Sequence, residues 1–144
     1  MHKPNVTVAI VLKSNDRYLL VEEIDKFTGK RVFNQPAGHL EQGETITDAC
    51  LRELKEETGL SAELLGLVGI YSLHAQNGVH YLRFCFYAEL DTPVQGAAQD
   101  SDIIACHWLT LEEISTLALR SHLVSQCIQD SLNRPLISLD YLHQ

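Results

Sequence analysis

A helix that turns carboxylates toward its own apolar side constrains this chain more than any other feature. Thr45–Thr58 reads as a helix: Thr45 stands at the N-cap with Asp48 three residues on, a variant of the capping box, and Gly59 follows the last turn. At about 100° per residue, Ile46, Ala49 and Cys50 define an apolar stripe that Glu53, Glu56, Glu57 and Leu60 continue. A charge run on a helix is ordinarily its solvated face, yet that face would lie opposite Ile46 and Cys50. Glu53 and Glu57 also set like charges together at i, i+4, which costs about 0.2–0.5 kcal/mol on an isolated helix. Partly buried without a partner, they would cost considerably more. A cation resolves both conflicts. Clustered carboxylate oxygens are hard ligands, which makes Mg²⁺ the expected ion, with Mn²⁺ as the alternative, rather than zinc. Arg52 lies beside Glu56 and can reach back to Glu44, holding it through a bidentate pair of hydrogen bonds.

Eleven Lys and Arg against nineteen Asp and Glu give a net charge of −8. No basic footprint for nucleic acid is present, and attraction to anionic membranes is not expected. A phosphate ligand would need a divalent cation to draw it in. With 144 residues and 45% hydrophobic side chains, the chain suits one domain over 1–144. Cys50, Cys85, Cys106 and Cys127 form no Cys-x-x-Cys pair and sit among apolar residues, so buried free thiols are expected. The N-terminus lacks the apolar core and cleavage site of a signal peptide, and no apolar run is long enough for a membrane span. A cytoplasmic protein, monomer or homodimer, is the expectation.

Along the chain, Val6–Leu12 and Tyr18–Val21 read as a hairpin around Ser14, Asn15 and Asp16. Glu22–Arg31 reads as a polar loop, and Val32–Asn34 as a short strand stopped by Pro36 and Gly38. Two longer strands are expected over Ala62–Leu73 and Val79–Leu90, joined through Ala75–Gly78, where Asn77-Gly78 is a hairpin signal. Asp91–Asp102 is a loop with Pro93 and Gly96, and Ile103–Leu109 is a strand. Thr110 and Glu113 form a capping box for a short helix, and Ser121–Leu132 reads as the last helix. Trp108, Tyr81, Phe84, Phe86 and Tyr87 are assigned to the core. This is an α/β pattern, one mixed sheet flanked by helices.

From Gly38 the chain reads GHLEQGETITDACLRELKEETGL. Gly38, Glu44, Arg52-Glu53-Leu54, Glu56-Glu57 and Gly59-Leu60 stand at the spacing of the Nudix box, and the chain is identified on these residues as resembling the Nudix hydrolase family, MutT-like. Phe33–His39, Leu82–Phe84, Asp100–Ile103, Trp108, Glu112–Ile114 and Leu119–Ser121 resemble a bacterial phosphatase branch of it. The resemblance implies an α/β/α Nudix sandwich with a mixed β-sheet, and Mg²⁺-dependent hydrolysis of small diphosphates. Hydroxymethylpyrimidine diphosphate, thiamine diphosphate and nucleoside di- or triphosphates are the implied substrates. It implies metal binding by Glu53, Glu56, Glu57 and the Gly38 carbonyl, a catalytic role for Arg52 beside them, and a supporting pair of Glu44 and Arg52. The general base is implied to be Glu53, or an aspartate, Asp100 or Asp102, of the Gln95–Asp102 loop. Many relatives carry Trp where this chain has Phe33, which leaves Phe33 as a candidate for stacking on substrate. His39 is a further candidate contact, and Arg31, Arg83 and Arg120 are candidates for secondary phosphate contacts.

Hydrolysis of a phosphoanhydride needs an aimed water and neutralised oxygens, which divalent ions on a rigid helix supply. The alternative is a nucleotide-sensing Nudix domain that binds without cleaving. Such domains usually lose a box carboxylate, and none is missing here. Isomerisation of an isoprenoid diphosphate would need an added Cys and Glu that nothing singles out, and no calcium-binding loop motif is present.

Overall fold

The computed structural model describes residues 1–144. Its elements run β1 (Asn5–Ser14), β2 (Arg17–Ile24), β3 (Arg31–Asn34), β4 (Ala37–His39), α1 (Ile46–Thr58), β5 (Gly66–His74), β6 (His80–Glu89), β7 (Ile103–Thr110), α2 (Leu111–Ile114) and α3 (Leu123–Asn133). A strand buried on both faces must send alternate side chains into different cores. In β1, Val8, Ile10 and Leu12 enter one core, and Ala9 and Val11 enter the other. The first core is closed by Ala49, Cys50 and Leu54 of α1. The second is closed by Ile114 of α2 and by Val124, Cys127 and Ile128 of α3. Two helical layers around one mixed sheet make the α/β/α sandwich expected from the sequence.

The sheet is split into two wings. β1 and β2 pair only beside their turn, at Lys13↔Tyr18 and Ser14↔Arg17. Beyond it β1 takes β4 antiparallel and β6 parallel, and β5 lies against β6. β2 departs with β3 on one edge and β7 on the other. The chain between the wings is tied down where it crosses: the Ile10 amide donates to the Pro36 carbonyl at 3.1 Å.

Helix ends follow the sequence closely. The Thr45 hydroxyl accepts from the Asp48 amide at 3.1 Å, and Gly59 caps α1 with φ 72°. Thr110 and Glu113 form the full reciprocal capping box. Gly78, at φ 84°, turns the β5–β6 hairpin. All four cysteines are buried and free. Phe86 and Tyr87 are core residues, while Phe84 and Trp108 pack at the margin of the first core. Tyr81, assigned to the core from the sequence, joins neither core and lies beside His39 instead. No helix is long and apolar enough to cross a membrane.

Several boundaries differ from the sequence reading, four of them with a clear structural cause. Glu22 and Glu23 are not loop: β2 runs on to Ile24, and only Asp25–Lys30 separates it from β3. Glu22 tolerates burial because His107 Nε2 lies 2.8 Å from one of its oxygens and Arg31 lies 3.0 Å from the other. Ala37–His39 is a strand rather than a stop, because the departure of β2 leaves the Thr7–Ala9 edge of β1 open for pairing. β5 starts at Gly66, not Ala62; Ala62 and Leu64 pack on the first core without strand pairing. α3 starts at Leu123, since the Ser121 hydroxyl accepts from the Leu123 amide in the turn before it.

Candidate active site

The buried side of α1 is centred on Ala49, Cys50, Leu54, Glu57 and Thr58. The expected stripe is therefore rotated by the packing of Leu54, which is fully buried. That rotation grades the three carboxylates. Glu57 is buried at 6% exposure, the Glu53 side chain is 13% exposed, and the Glu56 side chain is 46% exposed.

Glu57 and Glu53 both face β4. The Ala37 amide donates to Glu57 Oε1 at 2.8 Å. Burial nonetheless pushes the Glu57 carboxyl up to about 8, with Glu23, Glu53 and Asp100 adding repulsion. Glu53 lies against Gly38 so closely that a β-carbon on that glycine would overlap its carboxyl group. Its acidity is weakened by burial, and Arg52 opposes that shift.

Arg52 organises the helix start. Its Nε and Nη2 donate to the two oxygens of Glu44 at 2.9 and 2.8 Å, and Nη2 also donates to the His39 carbonyl at 2.9 Å. Nη1 reaches Glu53 at 2.8 Å and Glu56 at 3.2 Å. The expected bidentate Arg52–Glu44 pair is present, extended by a bond to β4. Its hydrogen bonds to Arg52 hold the Glu44 carboxyl down at about 2.

The loop ahead of β7 docks on the other end of α1. The amides of Gln99 and Asp100 donate to the Glu56 carbonyl, and that of Ala97 donates to the Thr58 carbonyl. Carbonyls of the last helical turn, left without intrahelical partners, are thereby satisfied. Asp100 arrives near Glu57 by this route. Asp102 does not join the group: its side chain is 61% exposed and paired with Lys26 at 3.2 Å.

The remaining candidates are dispersed. Phe33 sits on β3 with its ring 5.6 Å from that of His107. His39 is exposed on β4, its ring 6.2 Å from Tyr81. Arg31 and Arg120 are neutralised by Glu22 and Glu23 respectively. Arg83 is neither solvent-facing nor ion-paired; it is buried, with Gln35 Oε1 accepting from it at 3.4 Å.

One acidic residue near α1 was not among the sequence candidates. Glu23 of β2, held by Arg120 Nε at 2.6 Å, adds its charge to the surroundings of Glu57. The alternation Leu19, Val21, Glu23 carries the signal, since the first two residues enter the α1 core.

Comparison with known proteins bears on the family and the fold. The model of the NUDIX domain matches residues 1–126. The chain is 42% identical over 140 residues to the phosphatase NudJ of Escherichia coli K12, covering 94% of this chain and 90% of that protein. The same figures hold for the NudJ of Shigella flexneri. Among solved structures, a NUDIX hydrolase from Nitrosomonas europaea superposes with a TM-score of 0.91 at 43% identity, covering 99% of this chain and 97% of that one. The NUDIX domain of Shewanella oneidensis NrtR, solved with ADP ribose, shares the fold with a TM-score of 0.80 at 20% identity, covering 93% and 90%.

Proposed function

The chain belongs to the Nudix family and is a hydrolase of phosphoanhydride bonds; from that premise we propose that it cleaves small diphosphates with Mg²⁺, or Mn²⁺ in its place, at Glu53, Glu56 and Glu57. The proposed substrates are hydroxymethylpyrimidine diphosphate, thiamine diphosphate and nucleoside di- or triphosphates, a range supported by the likeness to phosphatase NudJ.

The observation that carries this reading is Glu57, a carboxylate buried in the α1–β4 contact with no cationic side chain of the protein paired to it. The residues present fit a divalent cation. Their donors are all oxygens, suited to a hard ion, and the missing side chain at Gly38 leaves Glu53 its place against the strand. As the side chains stand, no three acidic, histidine or cysteine groups converge on one point, and the Arg52 guanidinium lies on Glu53 and Glu56. Held by Glu53, Glu56, Glu57 and the Gly38 carbonyl, the ion would supply Lewis-acid neutralisation of the anhydride oxygens.

The chain supplies the rest. Arg52 fixes the start of α1 against β4 through Glu44 and the His39 carbonyl. The Ala37 amide orients Glu57. Glu53 is the proposed base: its Oε1 is engaged by Arg52, and its Oε2 accepts no hydrogen bond from the protein and is free to take a proton from the attacking water. Asp100, whose Oδ1 accepts from the Asp102 amide, is the alternative base.

The test is phosphate release from a panel of pyrimidine, thiamine and nucleoside diphosphates, with Mg²⁺ and then with EDTA. Release that the chelator stops supports the reading. Tight binding of one compound with no release across the panel would replace it with a sensing domain.

A further inference from the structure

On the sheet face turned away from α1, two polar side chains lie next to one another with their hydrogen-bonding capacity unspent. Arg83 of β6 is 9% exposed, and no acidic side chain pairs with it, although the chain holds nineteen. Gln35 Oε1 accepts from it at 3.4 Å and is the single hydrogen-bond partner it has in the protein. Gln35 is itself buried and engaged elsewhere, its Nε2 donating to the Ile10 carbonyl at 3.3 Å and to the Cys85 sulfur at 3.5 Å. Thr7 Oγ1 is buried with no hydrogen bond at all.

Strand register puts the two groups together. His39 of β4 stands opposite Thr7, Thr7 opposite Arg83, and Arg83 opposite Tyr71. Directly paired residues project from the same face, so these four side chains form one row across β4, β1, β6 and β5. Ala9, Val11, Cys85 and Tyr87, in the rows beside it, are sealed under α3. The row of Thr7 and Arg83 ends instead at the exposed His39. β4 is shared with the carboxylate site, since Gly38, one residue before His39, lies against Glu53.

A buried guanidinium without a counter-charge is costly, as is a buried hydroxyl without a partner. A ligand that brings acceptors removes both costs. A phosphate is held at the α1 side of β4 in the function proposed above, so what reaches the far side is the organic half of the substrate. We propose that Arg83 and Thr7 read the acceptor edge of an uncharged heterocycle carried by the diphosphate, and so determine specificity. The planar fork of arginine matches two acceptors lying in one ring plane, as in its pairing with guanine O6 and N7. A cationic ring, such as the thiazolium of thiamine diphosphate, meets like charge there, which ranks that compound below those with uncharged rings among the proposed substrates. This inference rests on the carboxylate side of β4 being where the diphosphate sits.

The test uses the full chain with Mg²⁺ and three probes: guanosine diphosphate, thiamine diphosphate and the ring-free methyl diphosphate. Arg83→Gln is expected to raise KM for guanosine diphosphate about tenfold, with kcat within about twofold. Its kcat/KM for methyl diphosphate stays at the parent value, and its preference for guanosine over thiamine diphosphate shrinks. Thr7→Val, close in shape and with no hydrogen bond to lose, is expected to raise the same KM about threefold. It decides the matter alone should Arg83→Gln not fold. Unchanged KM in both variants, or equal losses on methyl diphosphate, would overturn the proposal in favour of a framework role. Calorimetric binding of guanosine itself, without metal, separates this inference from the hydrolytic reading. Binding weakened by either substitution in a chain that cleaves nothing would sink the hydrolysis and keep the subsite, and cleavage indifferent to both substitutions would do the reverse.

Discussion

Gly38 and Glu53 occupy one space: a β-carbon on the strand residue would overlap the carboxyl group of the helix residue. The glycine is required here for its lack of bulk, and its conformation is ordinary; φ is positive at Gly29, Gly43, Gly59 and Gly78 but not at Gly38. Gly38→Ala is therefore expected to push the Glu53 carboxylate off β4 while leaving the α1 caps and both cores untouched. Displacing a reacting group by an ångström costs about a hundredfold in rate, and a loss of that order in kcat is expected. Thermal melting beside steady-state kinetics checks it. A variant with parental turnover would show that the seating of Glu53 against the strand is irrelevant to catalysis.

Glu57 sets stability against function. Its burial disfavours the charged form strongly enough to push it up to about 8, so the metal-free protein holds this carboxyl at a cost that grows as pH rises toward 8. Glu57→Gln keeps an acceptor for the Ala37 amide and removes the charge. In EDTA the variant is expected to melt no lower than the parent at pH 8, while its Mg²⁺-dependent turnover falls at least about a hundredfold. Near-parental rates with Mg²⁺ would remove Glu57 from the metal site.

Leu54 shows where the sequence reading of α1 went astray. The spacing put Ala49, Cys50 and Glu57 on the buried side, where they are found, but the burial of Leu54 rotates the helix so that Glu56 turns half outward. Leu54→Ala is expected to destabilise the fold by about 2–5 kcal/mol, as loss of a fully buried leucine does. Glu56→Ala, on the outer flank, is expected to change stability by less than about 1 kcal/mol. Chemical denaturation of both variants checks the order, and equal losses would contradict the rotation.

The caps, the Glu44–Arg52 pair and the order of the longer strands were legible because each is a local pattern. β4 was not, because a three-residue strand exists only where β2 leaves an edge of β1 unpaired. Glu23 was missed for a related reason. Charged residues in sequence read as loop, and only the continued pairing of β2 with β3 and β7 keeps Glu23 on the α1 face. Arg83 could be singled out on its strand, but burial without a carboxylate partner depends on the packing of Gln35 from another part of the chain. What the sequence hid is consistently what distant segments do to one another.

The Glu44–Arg52 pair predicts the acid behaviour of the fold. Two hydrogen bonds from Arg52 and one from the Glu41 amide hold Glu44 down at about 2, against an ordinary value of 4.5. A carboxyl whose folded value is depressed binds fewer protons folded than unfolded over that interval. Its contribution is complete above about pH 5.5 and is lost as pH falls toward 2. Glu44→Gln lacks the charge throughout, so the parent is expected to melt above the variant at neutral pH, with the gap closing between about pH 4.5 and 2. Melting curves of both proteins across that range, in EDTA, test it: a gap that persists undiminished at the acid end would mean that the variant is destabilised by shape or packing and not by the loss of this ion pair.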